Sequence, residues 1–220
     1  MTKPITRFPT PEHTARPGLS RWRAGFGCGS GLGLILLLAL AGCSGQEATW
    51  HGTRLDGLMP PLAFELTDTQ GRTVTASDSA GQLRLLFFGY TSCPDVCPTT
   101  LADLQGALRA LPEAQRARYR VLFVSVDPNR DTPARLAAYT GAFGPGIQGL
   151  TGTDAQLRAL ARRYRTTFGY GDADAAGQYE VSHSSAVYAF DGQGKARLLL
   201  QPARLGSKAL QEDLATLARR

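Results

Sequence analysis

The run Leu83-Arg84-Leu85-Leu86-Phe87-Phe88-Gly89 is nearly continuous in apolar side chains and ends at a turn. A strand wetted on one face alternates apolar with polar residues, whereas one without alternation is buried on both faces, as a central strand of an α/β sheet is. Tyr119–Val126 (YRVLFVSV) repeats the pattern, so two such strands belong to one core. The first of them delivers the chain directly to Cys93.

Helices are expected between and after these strands. Leu101, Leu104, Leu108 and Leu111 follow a helical stripe that Pro112 ends. Thr132 before Pro133 is a cap followed by proline at the first helical position, which predicts a helix over Pro133–Phe143. Thr153 with Gln156 three residues later matches a capping box and opens a further helix, with Leu157, Leu160 and Tyr164 on its apolar side. Ala63–Leu66 and Thr73–Thr75, joined through Gln70-Gly71, read as an N-terminal hairpin. Ala186–Phe190 and Ala196–Leu200 flank the turn Asp191-Gly192-Gln193-Gly194, and Ser207–Leu217 makes a last helix. The order, β-hairpin, βαβα, α, ββα, is that of an α/β thioredoxin-like fold: a central mixed sheet flanked by helices, with an N-terminal β-hairpin. Sites in such sheets lie beyond the carboxyl ends of the strands.

The ends of the chain read differently. Residues 1–42 carry five Lys and Arg against one carboxylate, so four of the chain's six net positive charges sit there. No Lys/Arg stripe interleaved with exposed aromatics remains in the rest, which argues against nucleic-acid binding. A basic stretch ending at Arg21–Arg23, the apolar run Gly31–Ala41 and the small residues before Cys43 together read as a secretory signal. The run is shorter than the ~20 apolar residues of a spanning helix, although an uncleaved anchor stays open. Leu40-Ala41-Gly42-Cys43 resembles a bacterial lipobox, which implies cleavage before Cys43 and lipid on its sulfur. The expected organisation is a lipoprotein signal peptide over 1–42, a lipid-anchored tether over 43–61 and one domain over 62–220, held outside the cytoplasm on the membrane of a bacterial cell envelope.

With Cys28 in the leader and Cys43 at the lipid site, only Cys93 and Cys97 remain for the domain. In an oxidising compartment they can pair, but the loop closed is too short to constrain the unfolded chain much. They stand four positions apart where a strand turns into a helix, so they face the same way. Free backbone N–H groups and the helix dipole favour thiolate there. Two thiolates suit Cu(I), and an added imidazole gives an S₂N set that holds Cu(II) if another ligand completes it. Without more cysteines, a four-sulfur zinc or iron–sulfur site would need two chains. His183 is the candidate imidazole, because His13 lies in the leader and His51 in the tether. Arg165–Ser182, rich in Gly and Asp, reads as an exposed excursion returning at Val181-Ser182-His183. A lone histidine entering a strand is more often structural than ligating, and spacing does not decide between the two.

Three blocks in order change that balance. Gly89-Tyr90-Thr91-Ser92-Cys93-Pro94-Asp95-Val96-Cys97-Pro98, Val124-Ser125-Val126-Asp127-Pro128 through Asp131-Thr132-Pro133, and His183-Ser184-Ser185-Ala186-Val187-Tyr188 are similar to signatures of the Sco/SenC family of copper-binding proteins. The resemblance covers roughly Gly57–Leu217. It implies that Cys93 and Cys97 are thiolate ligands and His183 the imidazole ligand of one copper ion. It also implies a metallochaperone that helps build the dinuclear copper site of cytochrome c oxidase, with the copper-site subunit or another envelope copper protein as partner; no oligomer is predicted.

Asp95 and Asp127 are weighed as acidic groups that orient His183 or tune the site, against a helix N-terminal charge and a turn former. Asp172, Asp174 and Glu180 read as a solvated loop. Trp50 and Met59 are not assigned a partner role. The rival function is an envelope thiol–disulfide oxidoreductase in which Cys93 attacks and Cys97 resolves. Three residues between the cysteines, where thioredoxins have two, and a superfluous histidine count against it. A copper or redox sensor would use the same residues, and nothing marks a peroxidase.

Overall fold

The computed structural model describes residues 49–220. The lipobox, Cys43 and the rest of the leader lie outside them. Among the described residues ten strands form two sheets: β1 (Thr53–Arg54), β2 (Glu65–Asp68), β3 (Thr73–Thr75), β4 (Leu83–Gly89), β5 (Tyr119–Ser125), β6 (Ile147–Thr151), β7 (Phe168–Tyr170), β8 (Val181–His183), β9 (Val187–Phe190) and β10 (Ala196–Leu200). The helices are α1 (Val96–Arg109), the short α2 (Glu113–Arg116), α3 (Pro133–Phe143), α4 (Asp154–Arg163) and α5 (Pro202–Ala218), with a 3₁₀ turn at Ala76–Ser79.

The large sheet runs β1-β10-β9-β4-β5-β6-β2-β3. Its centre is parallel, β4 with β5 and β5 with β6, and antiparallel strands flank it on both sides. All seven residues of β4 are buried, which is why that segment shows no alternation. The mixed thioredoxin-like sheet is therefore as expected. α1 packs on α5, and α3 lies against β6. Arg84, at the foot of β4, is also buried and directs its guanidinium to the Ser79 carbonyl at 2.7 Å.

α3 begins at Pro133 as Thr132-Pro133 predicts, with Thr132 Oγ1 accepting from Arg135 N–H. The capping box at Thr153 and Gln156 is present. α5 is broken at Gly206, whose φ of +73° suits glycine alone, so the regular helix starts at the expected Ser207.

Three features depart from the sequence reading. The strand β6 stands between α3 and α4 where only helices are expected. Its segment Ile147-Gln148-Gly149-Leu150-Thr151 has little apolar alternation, because a Cβ at Gly149 would stand 2.8 Å from Leu136 Cγ. The stretch Arg165–Ser182 carries a separate two-stranded ribbon, β7 with β8, in the register Phe168↔His183. The far half of the expected tether belongs to the folded unit. β1 pairs with β10, and buried Asp213 accepts from the backbone N–H groups of His51 at 2.9 Å and Gly52 at 2.7 Å. Trp50 and Met59 pack against the core.

Candidate metal centre

β4 ends at Gly89, where a Cβ would lie 2.7 Å from Cys97 Sγ and 2.6 Å from Phe123 Cε2. The bare α-carbon lets the sulfur and the ring close over the strand end. The chain then turns, with Cys93 N–H donating to the Tyr90 carbonyl at 3.3 Å, and enters α1 at Val96. Cys97 falls in the first turn, where backbone N–H groups have no helical acceptor. Its N–H points to Cys93 Sγ at 3.4 Å. Pro98 fits beside it because a first-turn residue can dispense with its own N–H.

His183 arrives from the other side. Val187 of β9 pairs with Phe87 of β4, so the residues preceding β9 and those following β4 meet at the same end of the sheet. His183 closes β8, and its Nε2 stands 3.3 Å from Cys97 Sγ and 3.8 Å from Cys93 Sγ. Nδ1 lies 3.1 Å from the Ser184 carbonyl, which can only accept, so Nδ1 carries the proton and Nε2 presents its lone pair to the sulfurs. The rings of Tyr90 and Phe87 meet the imidazole edge-on. Burial holds the His183 pKa below its ordinary value, which favours the neutral, ligating form.

The three donor atoms lie within 4.8 Å of one another, the one such group of three among the described residues. Metal–donor bonds of about 2.0–2.3 Å set 120° apart would separate donors by roughly 3.5–4 Å, so a trigonal S₂N site fits with small closing movements. Cys97 is fully buried, and burial, first, then the neighbouring Cys93, push its thiol up. This reverses the expectation that the helix start lowers its pKa: with the sulfur buried, desolvation outweighs the helix dipole. A metal ion would supply the missing positive charge. Cys93 is half-buried and opens on a hollow of about 520 Å³ lined also by Tyr90, Pro94, Val96, Tyr170 and His183.

The acidic candidates divide. Asp95 is exposed at the start of α1 with Thr99 Oγ1 donating to it, a helix N-terminal charge. Asp127 does not touch His183. Its buried carboxylate accepts from Arg130 Nε and from Tyr179 Oη at 2.7 Å, while Arg130 Nη1 donates to the Tyr179 carbonyl and the guanidinium lies over the Tyr179 ring. Asp127 thus fastens the loop between β7 and β8, and acts on His183 only through that ribbon. Asp172, Asp174 and Glu180 are exposed, and Asp174 caps its own turn. His51 pairs with Glu212 and does not join the group of three donors.

One residue that sequence reasoning missed is Asp131. It is 1% exposed and accepts from Thr91 N–H and Oγ1 and from Ser125 Oγ. Its only sequence signal is membership of the block Asp131-Thr132-Pro133.

A thioredoxin-like domain with two cysteines at a strand-to-helix turn and a histidine from a separate ribbon defines a class of protein built to hold a soft metal or a reactive dithiol. The chain belongs to the SCO1/SenC family, whose model matches residues 61–219. The mitochondrial SCO2 homolog of Bos taurus is 40% identical over 132 residues, covering 60% of this chain and 50% of that protein. The solution structure of apo Sco1 from Thermus thermophilus superposes with a TM-score of 0.69 at 37% identity, over 79% of this chain and 99% of that one. Copper-bound ScoI from Bradyrhizobium japonicum gives a TM-score of 0.63 at 34% identity, over 72% and 98%. The chain spans about half the length of the mitochondrial relatives it matches.

Proposed function

We propose that this protein is a copper metallochaperone of the bacterial cell envelope, binding one Cu(I) or Cu(II) ion through Cys93, Cys97 and His183 and assisting assembly of the dinuclear copper site of cytochrome c oxidase. The observation that carries the reading is the convergence of two sulfurs and a lone-pair imidazole nitrogen from segments 86 residues apart on a partly open site. Copper-bound relatives of the same fold support the choice of ion. Membership of the family supports the oxidase as destination. Lipid on Cys43 would hold the domain at the membrane where that enzyme resides; no helix among the described residues is long and apolar enough to cross a membrane.

Chemically, the site suits transfer. Burial of Cys97 excludes water from one side, while half-buried Cys93 leaves the other side open to an incoming thiolate. Val96 and Tyr170, two of the few exposed large apolar residues, border that opening and offer an acceptor a dry contact. Half-buried Cys93, with the Cys97 N–H aimed at it, also favours the second reading, a thiol–disulfide oxidoreductase. Mixing the copper-loaded protein with the apo copper-site domain of its host's own oxidase separates the two. The chaperone reading expects the absorption of the dinuclear copper site to grow in. Reduction of the acceptor's disulfide without copper delivery would overturn it in favour of the reductase.

A further inference from the structure

Asp131 stands between β5 and α3 on the buried side of the metal loop. Thr91 N–H donates to its Oδ2 at 2.8 Å, Thr91 Oγ1–H to Oδ1 at 2.6 Å, and Ser125 Oγ–H to Oδ2 as well. Thr91 lies two residues before Cys93, so this carboxylate fixes the point at which the cysteine loop leaves the sheet. The nearby arginines are engaged elsewhere, Arg130 with Asp127 and Arg135 Nη2 with Ser92 Oγ. No Lys, Arg or His of the described residues pairs with Asp131 within 4.0 Å. Its negative charge is thus buried beside the site without a neutralising cation, and it adds to the burial that holds the Cys97 thiol and the Tyr139 hydroxyl up.

We propose that Asp131 is a positioning residue with two separable effects on the site: its carboxylate holds the Cys93 loop through Thr91, and its charge favours Cu(II) over Cu(I). The proposal rests on the copper reading above. A fixed negative charge in a poorly screened interior attracts a dication more than a monocation, so it lowers the site's tendency to take up an electron. A site that would otherwise hold Cu(I) tightly through two thiolates is thereby kept able to bind both oxidation states.

The two effects come apart by substitution. In Asp131→Asn the remaining oxygen can accept from Thr91 N–H and Ser125, and the new amide N–H can donate to Thr91 Oγ1, whose own proton rotates away. The clamp stays and the charge goes. In Thr91→Val the charge stays and part of the clamp goes. Dissociation constants of the full-length protein for Cu(I) and for Cu(II), each from competition with a chromophoric chelator, test this. Asp131→Asn is expected to raise the ratio Kd(Cu(II))/Kd(Cu(I)) about tenfold. Thr91→Val is expected to weaken both ions alike and leave the ratio unchanged. An unchanged ratio in Asp131→Asn, or an equal change in both variants, overturns the proposal. Failure of Asp131→Asn to fold overturns it as well, because the amide satisfies the same three partners. Wild type that takes up neither ion overturns the copper reading and this proposal together.

Discussion

Gly89 is a residue at which chemistry and packing meet, because its missing side chain is the space that Cys97 Sγ and Phe123 occupy. Gly89→Ala is expected to destabilise the fold by about 1–3 kcal/mol, as overpacking a core does, and to displace Cys97. Chemical denaturation and copper uptake of the same variant check both effects. The cysteines and Gly89 are legible in the sequence because the strand, the turn and the CxxxC spacing are local. Spacing alone does not single out His183, which is marked as a ligand only by its block of family resemblance, since the pairing of β9 with β4 is what brings it to the sulfurs. Asp131 is hidden for the same reason: its partner Thr91 lies 40 residues away, across a parallel pair of strands.

Elements whose ends are written in side-chain chemistry are found where the sequence puts them. Thr132-Pro133 marks α3 to the residue, and replacing Thr132 with Ala should cost about 1 kcal/mol through the lost cap, measurable as a lower denaturation midpoint with an unchanged slope. Elements defined by what they pack against escape. β6 carries Gly149 because Leu136 of α3 crosses it too closely for any side chain, and that glycine erases the apolar run by which a buried strand is recognised. The ribbon β7–β8 consists of three-residue strands separated by a Gly/Asp loop, below the length at which alternation is readable. The edge strand β1 depends on a carboxylate from α5. In Asp213→Ala the N–H groups of His51 and Gly52 lose their acceptor. That variant should lose about 1–3 kcal/mol, with hydrogen exchange rising first over residues 50–55. Uniform loss across the domain would contradict a local latch.

Over the whole molecule, the site's burial ties stability to pH from two directions. Burial depresses His183 below its ordinary 6.5, so the unfolded chain binds the proton more readily and the apo protein should lose stability as pH falls below that value. Burial raises Cys97 above its ordinary 9.0, so the folded state holds that proton longer and stability should decline as pH rises past 9. The apo protein is therefore expected to be most stable between these values, and His183→Gln should flatten the acid limb in thermal melts across pH. Copper binding as thiolate must displace the Cys97 proton, so affinity should rise with pH in the neutral range, with proton release visible as a dependence of the calorimetric heat on buffer. The central claim is that three side chains, one from each of α1, its preceding loop and β8, act as a single copper site. Anaerobic titration of the reduced full-length protein with copper, with spectra of the Cu(II) form in wild type and His183→Ala, tests it most directly. A 1:1 complex whose intense thiolate-to-copper absorption collapses in His183→Ala is the predicted result. Copper uptake indifferent to His183, or no tight uptake at all, would contradict it.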